Sequence, residues 1–403
     1  MITFDCHVHM GILEPKFNDE NKKLFAYIKY KKNTPRLHLP QCVKKSIAKA
    51  VIFSFPLMEY DFVKQNDYVL DAARKYPYFY IPFLIPESVK SLENKIDDFV
   101  GIKDHFYFDF HNQISRNEIL DFAEKTNKIY LFHAHKDKWN ERIVTICKNF
   151  PDLKVIIAHS ARPGPYSSIN IKDRIDEIYG LIPENLRSNF YFDTSTIRDS
   201  EAIEYLVKKV GNNQILFGSD FPYYMKEGED TLNEEMNCVL LSKISDTEKE
   251  NILSNNFRKL FQKDNIWIRK PTQTDVSDLL ETVKNINEQE KKFLALKPKL
   301  TLVKGQIRKC SHVLIAESPK KEISGFIRWS DRKDNTIMIE EIYVKPEFRG
   351  NRISKKLIES ACASYNNYEA KSFAINQAMN KVFTSLKFKA TFSPKGTMIS
   401  WKK

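Results

Sequence analysis

At 403 residues the chain is long for one domain, and length alone favours two or more. Its 42% hydrophobic, 12% aromatic and 29% charged content is ordinary for a protein that buries real cores, which excludes a disordered or fibrous chain. No apolar run approaches the roughly 18 residues of a membrane span, and the opening MITFDCHVHM has no basic segment followed by an apolar stretch, so no secretory leader is expected.

The six cysteines (Cys6, Cys42, Cys147, Cys238, Cys310, Cys362) are scattered without a CxxC pair, which suits reduced thiols in the cytoplasm. The net charge of +12 is unevenly placed. Residues 1–265 are near balance, whereas residues 266–403 hold about 27 basic and about 14 acidic side chains. Such an excess suits a polyanionic ligand, and it equally suits a solubilising surface. No motif that reads RNA or DNA accompanies it, so small molecules are the expected partners, with a homo-oligomer left open.

In chain order, strands are predicted at Ile2–Cys6, Ala50–Phe55, Tyr78–Leu84, Phe99–Lys103, Ile129–His133, Lys154–Ala158, Asn189–Asp193 and Gln214–Gly218. Helical periodicity falls between them, at Asn66–Lys75, Arg116–Lys125, Trp139–Asn149, Ile171–Ile182 and Ser200–Val210, with a last helix over Asp246–Phe261. Eight strands alternating with helices over about 250 residues predict a (β/α)8 TIM barrel. Glu14–Lys45 fits no strand period and reads as a long loop with some helix.

The pattern restarts at Ile266, so the expected domains are 1–265 and 266–403. Strands are predicted at Ile266–Arg269, Val313–Glu317, Ile323–Trp329, Thr336–Val344 and Thr397–Trp401. Helices are predicted at Thr274–Asn287, Asn351–Ala363 and Asn376–Leu386, an α+β pattern.

Five residues at barrel strand ends carry the chemistry. His7 and His9 are two apart on strand one, so both imidazoles leave one face. His133 ends strand five, His159 follows VIIA of strand six, and Asp220 follows strand eight in FGSDFP. Each alone is commonly a structural residue; together, at the C-terminal mouth, they form the nitrogen-and-carboxylate set that zinc or a similar divalent ion takes.

The pieces FDCHVHMG, NDYVLDAARKYP, GIKDHF, YLFHAHKD, PDLKVIIAHSARPG, FYFDTST, ILFGSDFP and ILSNNFRKLF keep an order and spacing that resembles the amidohydrolase superfamily, in its branch of single-metal hydrolases, lactonases and decarboxylases. By that resemblance His7, His9, His133 and Asp220 would hold the metal, and His159 would orient or polarise the substrate. Asp220 would take a proton from water and return it to the leaving group. Hydrolysis of an amide, ester or lactone is the expected reaction, with metal-dependent decarboxylation as the alternative. His135 shares the face of His133, where the family carries a small residue; it could be a fifth ligand, a substrate contact or a spare, and substrate contact is the favoured reading. Lys103 occupies the position of the carbamylated lysine of binuclear relatives, and Arg162 suits a substrate carboxylate or phosphate.

In the last third, MIEEIYVKPEFRGNRISKKLIESA reads as a strand, a turn at Pro346 and an amphipathic helix whose opening suits a pyrophosphate. Together with IRKPTQTDVSDL, HVLIAES, EISGFIRWSD and NQAMNKVFTSLKF it resembles the GNAT acetyltransferases. The resemblance implies that acetyl-CoA would lie against Tyr343, Val344, Arg349, Gly350, Asn351, Arg352, Ile353, Ser354 and Asn376, with Glu341 deprotonating an acceptor amine. Arg352 and Ser354 replace the family's later glycines, Phe383 stands at a frequent tyrosine position, and Lys387 replaces a glycine. The expected protein is bifunctional: a barrel that cleaves an amide frees an amine, and an acetyltransferase acylates one. The alternative is that one domain, more readily the acetyltransferase, is a non-catalytic binding module.

Overall fold

The computed structural model describes residues 1–12, 32–56, 62–86, 89–105, 115–134, 138–162, 170–223, 231–262, 266–286, 305 and 312–403. They divide into two compact units: Met1–Ala73 with Tyr80–Phe261, and Arg74–Phe79 with Gln262–Lys403.

The first unit is an eight-stranded parallel sheet in sequence order. Its strands are β1 Thr3–His9, β2 Ile47–Phe53, β3 Tyr80–Leu84, β4 Gly101–His105, β5 Ile129–His133, β6 Val155–Ile157, β7 Phe190–Asp193 and β8 Ile215–Leu216. The chain leaving β8 bonds back to β1: Cys6 N–H donates to Phe217 O at 2.9 Å, Asp220 N–H to His7 O at 2.9 Å and His9 N–H to Phe221 O at 2.8 Å. The sheet thereby returns to its first strand, as a (β/α)8 barrel requires.

Every residue of β1 and β2 is buried, because a parallel sheet under a ring of helices is covered on both faces. The helices show the complementary pattern. Ser200–Val210 buries Ala202, Ile203, Leu206, Val207 and Val210, one stripe of a 3.6-residue period. Asp199 caps it by accepting the Glu201 N–H at 2.9 Å.

The structure corrects several boundaries. β1 runs on to His9 rather than ending at Cys6, and β2 starts three residues earlier than predicted. Within the predicted loop Glu14–Lys45, Lys32–Asn33 pairs with Gly11–Ile12 and Pro35–Lys44 is a helix opened by proline at its first turn; residues 13–31 lie outside the described residues. The last predicted helix is Asp246–Glu250, a π-helical turn Asn251–Asn255, then Asn256–Phe261. Helices Val89–Lys95 and Thr231–Leu241 were not anticipated. No helix among the described residues is long and apolar enough to cross a membrane.

The second unit is a seven-stranded sheet. Its strands are β9 Trp267–Arg269, β10 Val313–Glu317, β11 Ile323–Asp331, β12 Thr336–Val344, β13 Asn367–Phe373, β14 Lys389–Phe392 and β15 Met398–Lys402, in the order β9-β10-β11-β12-β13-β15-β14. All pairs are antiparallel except β12–β13. The sequence reading lacked β13 and β14 because little of either is apolar and buried: β13 buries only Ala370 and Ser372, and β14 is exposed throughout. Helix Ile353–Cys362 lays Ile353, Leu357, Ile358, Ala361 and Cys362 against the sheet.

A buried ion triad ties the start of this unit together. Arg269 donates from Nη1 and Nη2 to both oxygens of Asp275 at 2.8 and 2.7 Å, and from Nε to Glu317 at 2.8 Å. All three side chains are buried, so removing the cation strands two carboxylates. Arg269→Met is expected to cost about 3–5 kcal/mol, read by denaturant unfolding; a loss below about 1 kcal/mol would show the triad to be energetically idle.

Candidate functional sites

β1 brings His7 and His9 to the mouth of the barrel on one face. The Nδ1–H of His7 donates to Asp193 Oδ2 at 2.7 Å, and that of His9 to the Ser54 carbonyl at 3.1 Å. In both rings Nε2 is therefore the bare nitrogen. Both Nε2 atoms approach Asp220 Oδ1, at 3.3 Å from His7 and 3.2 Å from His9. Asp220 sits in the left-handed region at φ 56°, with its N–H on the His7 carbonyl. The backbone passes close here: a Cβ at Gly218 would lie 3.0 Å from the His7 Cβ.

Among the described residues two groups of donors converge within 4.8 Å, His7–His9–Asp220 and His7–His159–Asp193. The first fits a divalent cation by its chemistry: two imidazole nitrogens held proton-free and one carboxylate oxygen. Burial pushes the imidazoles of His7, His9, His133 and His159 below their ordinary range, which keeps them neutral and able to ligate. Burial also raises the Asp220 carboxyl to about 6, against the pull of His159 and Lys103.

The remaining sequence-predicted residues fall into place differently. His133 is not in either converging group; it is partly exposed, with its ring edge-on to His159 at 4.5 Å and to His105 at 4.7 Å. His159 is buried at φ 56°, its N–H on Asp193 Oδ1 at 2.9 Å and its Nδ1 2.8 Å from Ser195 Oγ. Lys103 is buried with Nζ 3.4 Å from His7 Nε2 and over the Phe53 ring, and burial lowers its amine to about 8. Arg162 Nη1 donates to the carbonyls of Thr196 and Ile197 in the loop after β7. His135 lies outside the described residues.

The second unit offers a different kind of site. The β12–β13 pairing ends at Ile339↔Ala370 while β12 continues to Val344, so the two strands part. Beyond β12, Gly350 adopts φ 87° with open space where a Cβ would be, and Arg352 takes φ 57° at the N-cap of helix Ile353–Cys362. That cap makes no side-chain hydrogen bond, so it leaves first-turn N–H groups for an anion at Ile353 and Ser354. Asn351 Nδ2 donates to Phe348 O at 3.0 Å and Arg349 Nε to Val344 O at 3.1 Å, bonds that shape the loop from within. Arg352 and Lys387 (φ 63°) both keep left-handed backbone at positions where the sequence reading expected glycine.

Four side chains near this site have identifiable partners. Glu341 is buried and accepts from Arg328 Nε at 2.9 Å. Asn376 caps its own helix, Gln377–Ser385, by accepting the Met379 N–H at 3.2 Å. Phe383 is core, its ring tilted against Phe388 at 5.1 Å and Trp401 at 5.4 Å. Tyr343 is half-buried against Phe326, 6.1 Å between ring centres.

Residues 4–263 match the family model described as Amidohydrolase. The chain belongs to the amidohydrolase family. Residues 309–390 match the acetyltransferase (GNAT) domain, so the amidohydrolase barrel is followed by a GNAT domain. Among solved structures, a probable 2-pyrone-4,6-dicarboxylic acid hydrolase of Acinetobacter baumannii, with citric acid bound, covers 65% of this chain and 100% of its own at 16% identity and TM-score 0.52. An amidohydrolase of Burkholderia multivorans with bound zinc covers 65% and 99% at 10% identity and TM-score 0.50. Both show a shared barrel fold. The 2-amino-3-carboxymuconate-6-semialdehyde decarboxylase of Dictyostelium discoideum is 26% identical over 118 residues, 28% of this chain and 32% of that protein. The chain thus spans about a third of the length of the curated relative it matches.

Sequence reasoning missed Asp193, Ser195 and His105 at the amidohydrolase site, although FYFDTST and GIKDHF contain all three. It also missed His38, on helix Pro35–Lys44, whose ring nitrogens meet Tyr80 OH and Cys42 Sγ, each at 3.2 Å. Burial lowers His38 to about 3. The unfolded chain binds that proton near pH 6.5 and the folded one does not, so stability is intact above about 6.5 and falls as pH drops toward 3. His38→Phe is expected to flatten this acid limb by up to about 1.4 kcal/mol per pH unit, measured by denaturant unfolding below pH about 6.5; an unchanged slope would contradict the assignment.

Proposed function

We propose that the amidohydrolase barrel hydrolyses an amide, ester or lactone with the help of a divalent metal, zinc being the best fit to its donors, and that the GNAT domain transfers acetyl from acetyl-CoA to an amine. The convergence of His7 Nε2, His9 Nε2 and Asp220 Oδ1 carries the first half. These residues would hold the ion, with His133 close enough to the group's edge, one ring beyond His159, to be a candidate fourth donor. When bound, the cation supplies Lewis acidity toward a carbonyl oxygen and makes water a better nucleophile.

The chain's own residues do the rest. Asp220, buried and raised toward neutrality, accepts a proton from the attacking water at its carboxylate and returns it to the leaving group. His159 borders the same space beside His7, ring centres 4.8 Å apart, and orients the substrate there. Phe53 edges both ligand rings, at 5.0 and 4.7 Å, and keeps water from their apolar side. Decarboxylation is the second reading, favoured by the partial likeness to the Dictyostelium decarboxylase. Water labelled with heavy oxygen separates the two: hydrolysis leaves the label in the organic product, and decarboxylation evolves carbon dioxide and leaves the organic product unlabelled.

Elemental analysis of the full chain is expected to find one equivalent of divalent metal per chain, lost in the double change His7→Ala/His9→Ala. Asp193→Asn should weaken the metal about 10–100-fold through misorientation of His7. Stoichiometric metal surviving the double change would remove the reading.

For the second unit the support is the uncapped helix start beyond the parting strands. The transfer reading rests on this cradle and on the family match, with Glu341, paired to Arg328, on the neighbouring strand. Calorimetry should show acetyl-CoA binding that Ser354→Glu abolishes by placing a carboxylate in the first turn. No heat from the unaltered protein at millimolar acetyl-CoA would end this half of the proposal.

A further inference from the structure

The loop after β7 is held from several sides, and one of its side chains alone reaches the barrel's candidate catalytic imidazole. Thr194 N–H donates to Leu216 O at 3.0 Å, and Ser195 N–H donates to Asp193 Oδ1 at 3.0 Å. Arg162 donates to the carbonyls of Thr196 and Ile197, while Arg198 Nε donates to the buried Glu235 at 3.0 Å. Thr196 and Arg198 both adopt left-handed backbone, at φ 63° and 48°, a conformation that disfavours a β-branched residue. Such strain persists only where the surroundings over-determine it, and it concentrates at functional sites. Ser195 immediately precedes Thr196, fully buried, with its Oγ against both Asp193 Oδ1 and His159 Nδ1.

We propose that Ser195 is a positioning residue: its hydroxyl, given to Asp193, accepts the Nδ1–H of His159 and so fixes the tautomer in which Nε2 is bare. The argument is one of counting donors. Ser195 has one hydroxyl hydrogen. Asp193 Oδ1 is a charged acceptor already organised by the N–H groups of His159 and Ser195, so the charge-assisted bond takes that hydrogen. The lone pair of Oγ then faces His159 Nδ1, 2.8 Å away, which must supply the proton. Nε2 is the ring's other nitrogen, and the rings of His7 and His133 lie 4.8 and 4.5 Å from that of His159.

This deepens the hydrolase reading and rests on it for its use: His159 starts as an acceptor of a proton or hydrogen bond at Nε2, and it becomes a donor to the substrate only after taking a proton there. The same carboxylate orders His7 through its other oxygen, so Asp193 sets both imidazoles in one tautomer, directly in one case and through Ser195 in the other.

The test is long-range proton–nitrogen NMR of the full chain labelled with nitrogen-15 in histidine, with the His159 signals identified by their loss in His159→Gln. The unaltered protein is expected to show His159 protonated at Nδ1 and bare at Nε2. Ser195→Ala should lose the Nδ1–H form as the majority species, and Ser195→Thr, which keeps the hydroxyl, should restore it. A proton on Nε2 in the unaltered protein overturns the proposal without recourse to any variant, as does an unchanged tautomer in a folded Ser195→Ala. Metal content measured on the same samples reports separately on the hydrolase reading: absent metal with the Nδ1–H signature intact defeats that reading and leaves the tautomer assignment standing.

Discussion

The barrel's chemistry depends on one buried carboxylate. Asp193 closes β7, and its two oxygens accept from the His7 ring, the His159 and Ser195 amides and the Ser195 hydroxyl. A buried anion survives only when it is this fully bonded. In return it aims two imidazoles from different strands, and it holds the chain where it leaves β6 through the Ser160 hydroxyl on the Asp193 carbonyl at 2.8 Å. The convergence of His7, His9 and Asp220 is thus a product of hydrogen bonding one layer behind the donors.

That layering explains what could be read in advance. The barrel was legible because parallel strands buried on both faces appear as unbroken runs such as KAVIF and KVIIA, separated by stripes of helical period. His7 and His9 were legible because a two-residue spacing on a strand leaves no choice of face. Asp193 and Ser195 were not, since an aspartate and a serine at a strand end carry no period and look like turn formers. Their role exists only once β6 and β7 lie side by side. The bonds of Arg162 Nη1 to the Thr196 and Ile197 carbonyls were likewise not legible, since those carbonyls belong to a distant loop.

In the GNAT domain the helices and central strands were legible from their apolar stripes, whereas β13 hides because most of its residues are polar and only two are buried, and β14 because it is exposed throughout. The loop substitutions proved conformationally silent. Arg352 and Lys387 keep the left-handed backbone that glycine adopts without penalty, at a cost of order 1 kcal/mol each. Glu341 shows the limit of reasoning from strand position, because its cross-strand neighbour Arg328 is invisible until the register across β11 and β12 is known.

The seam between β8 and β1 is also part of the candidate site. The segment 217–221 that stitches the sheet shut also carries Asp220, and the Asp220 amide is itself one of the stitches. Any opening of this seam would therefore carry Asp220 away from His7 and His9, and an ion held by the three would lie across the join.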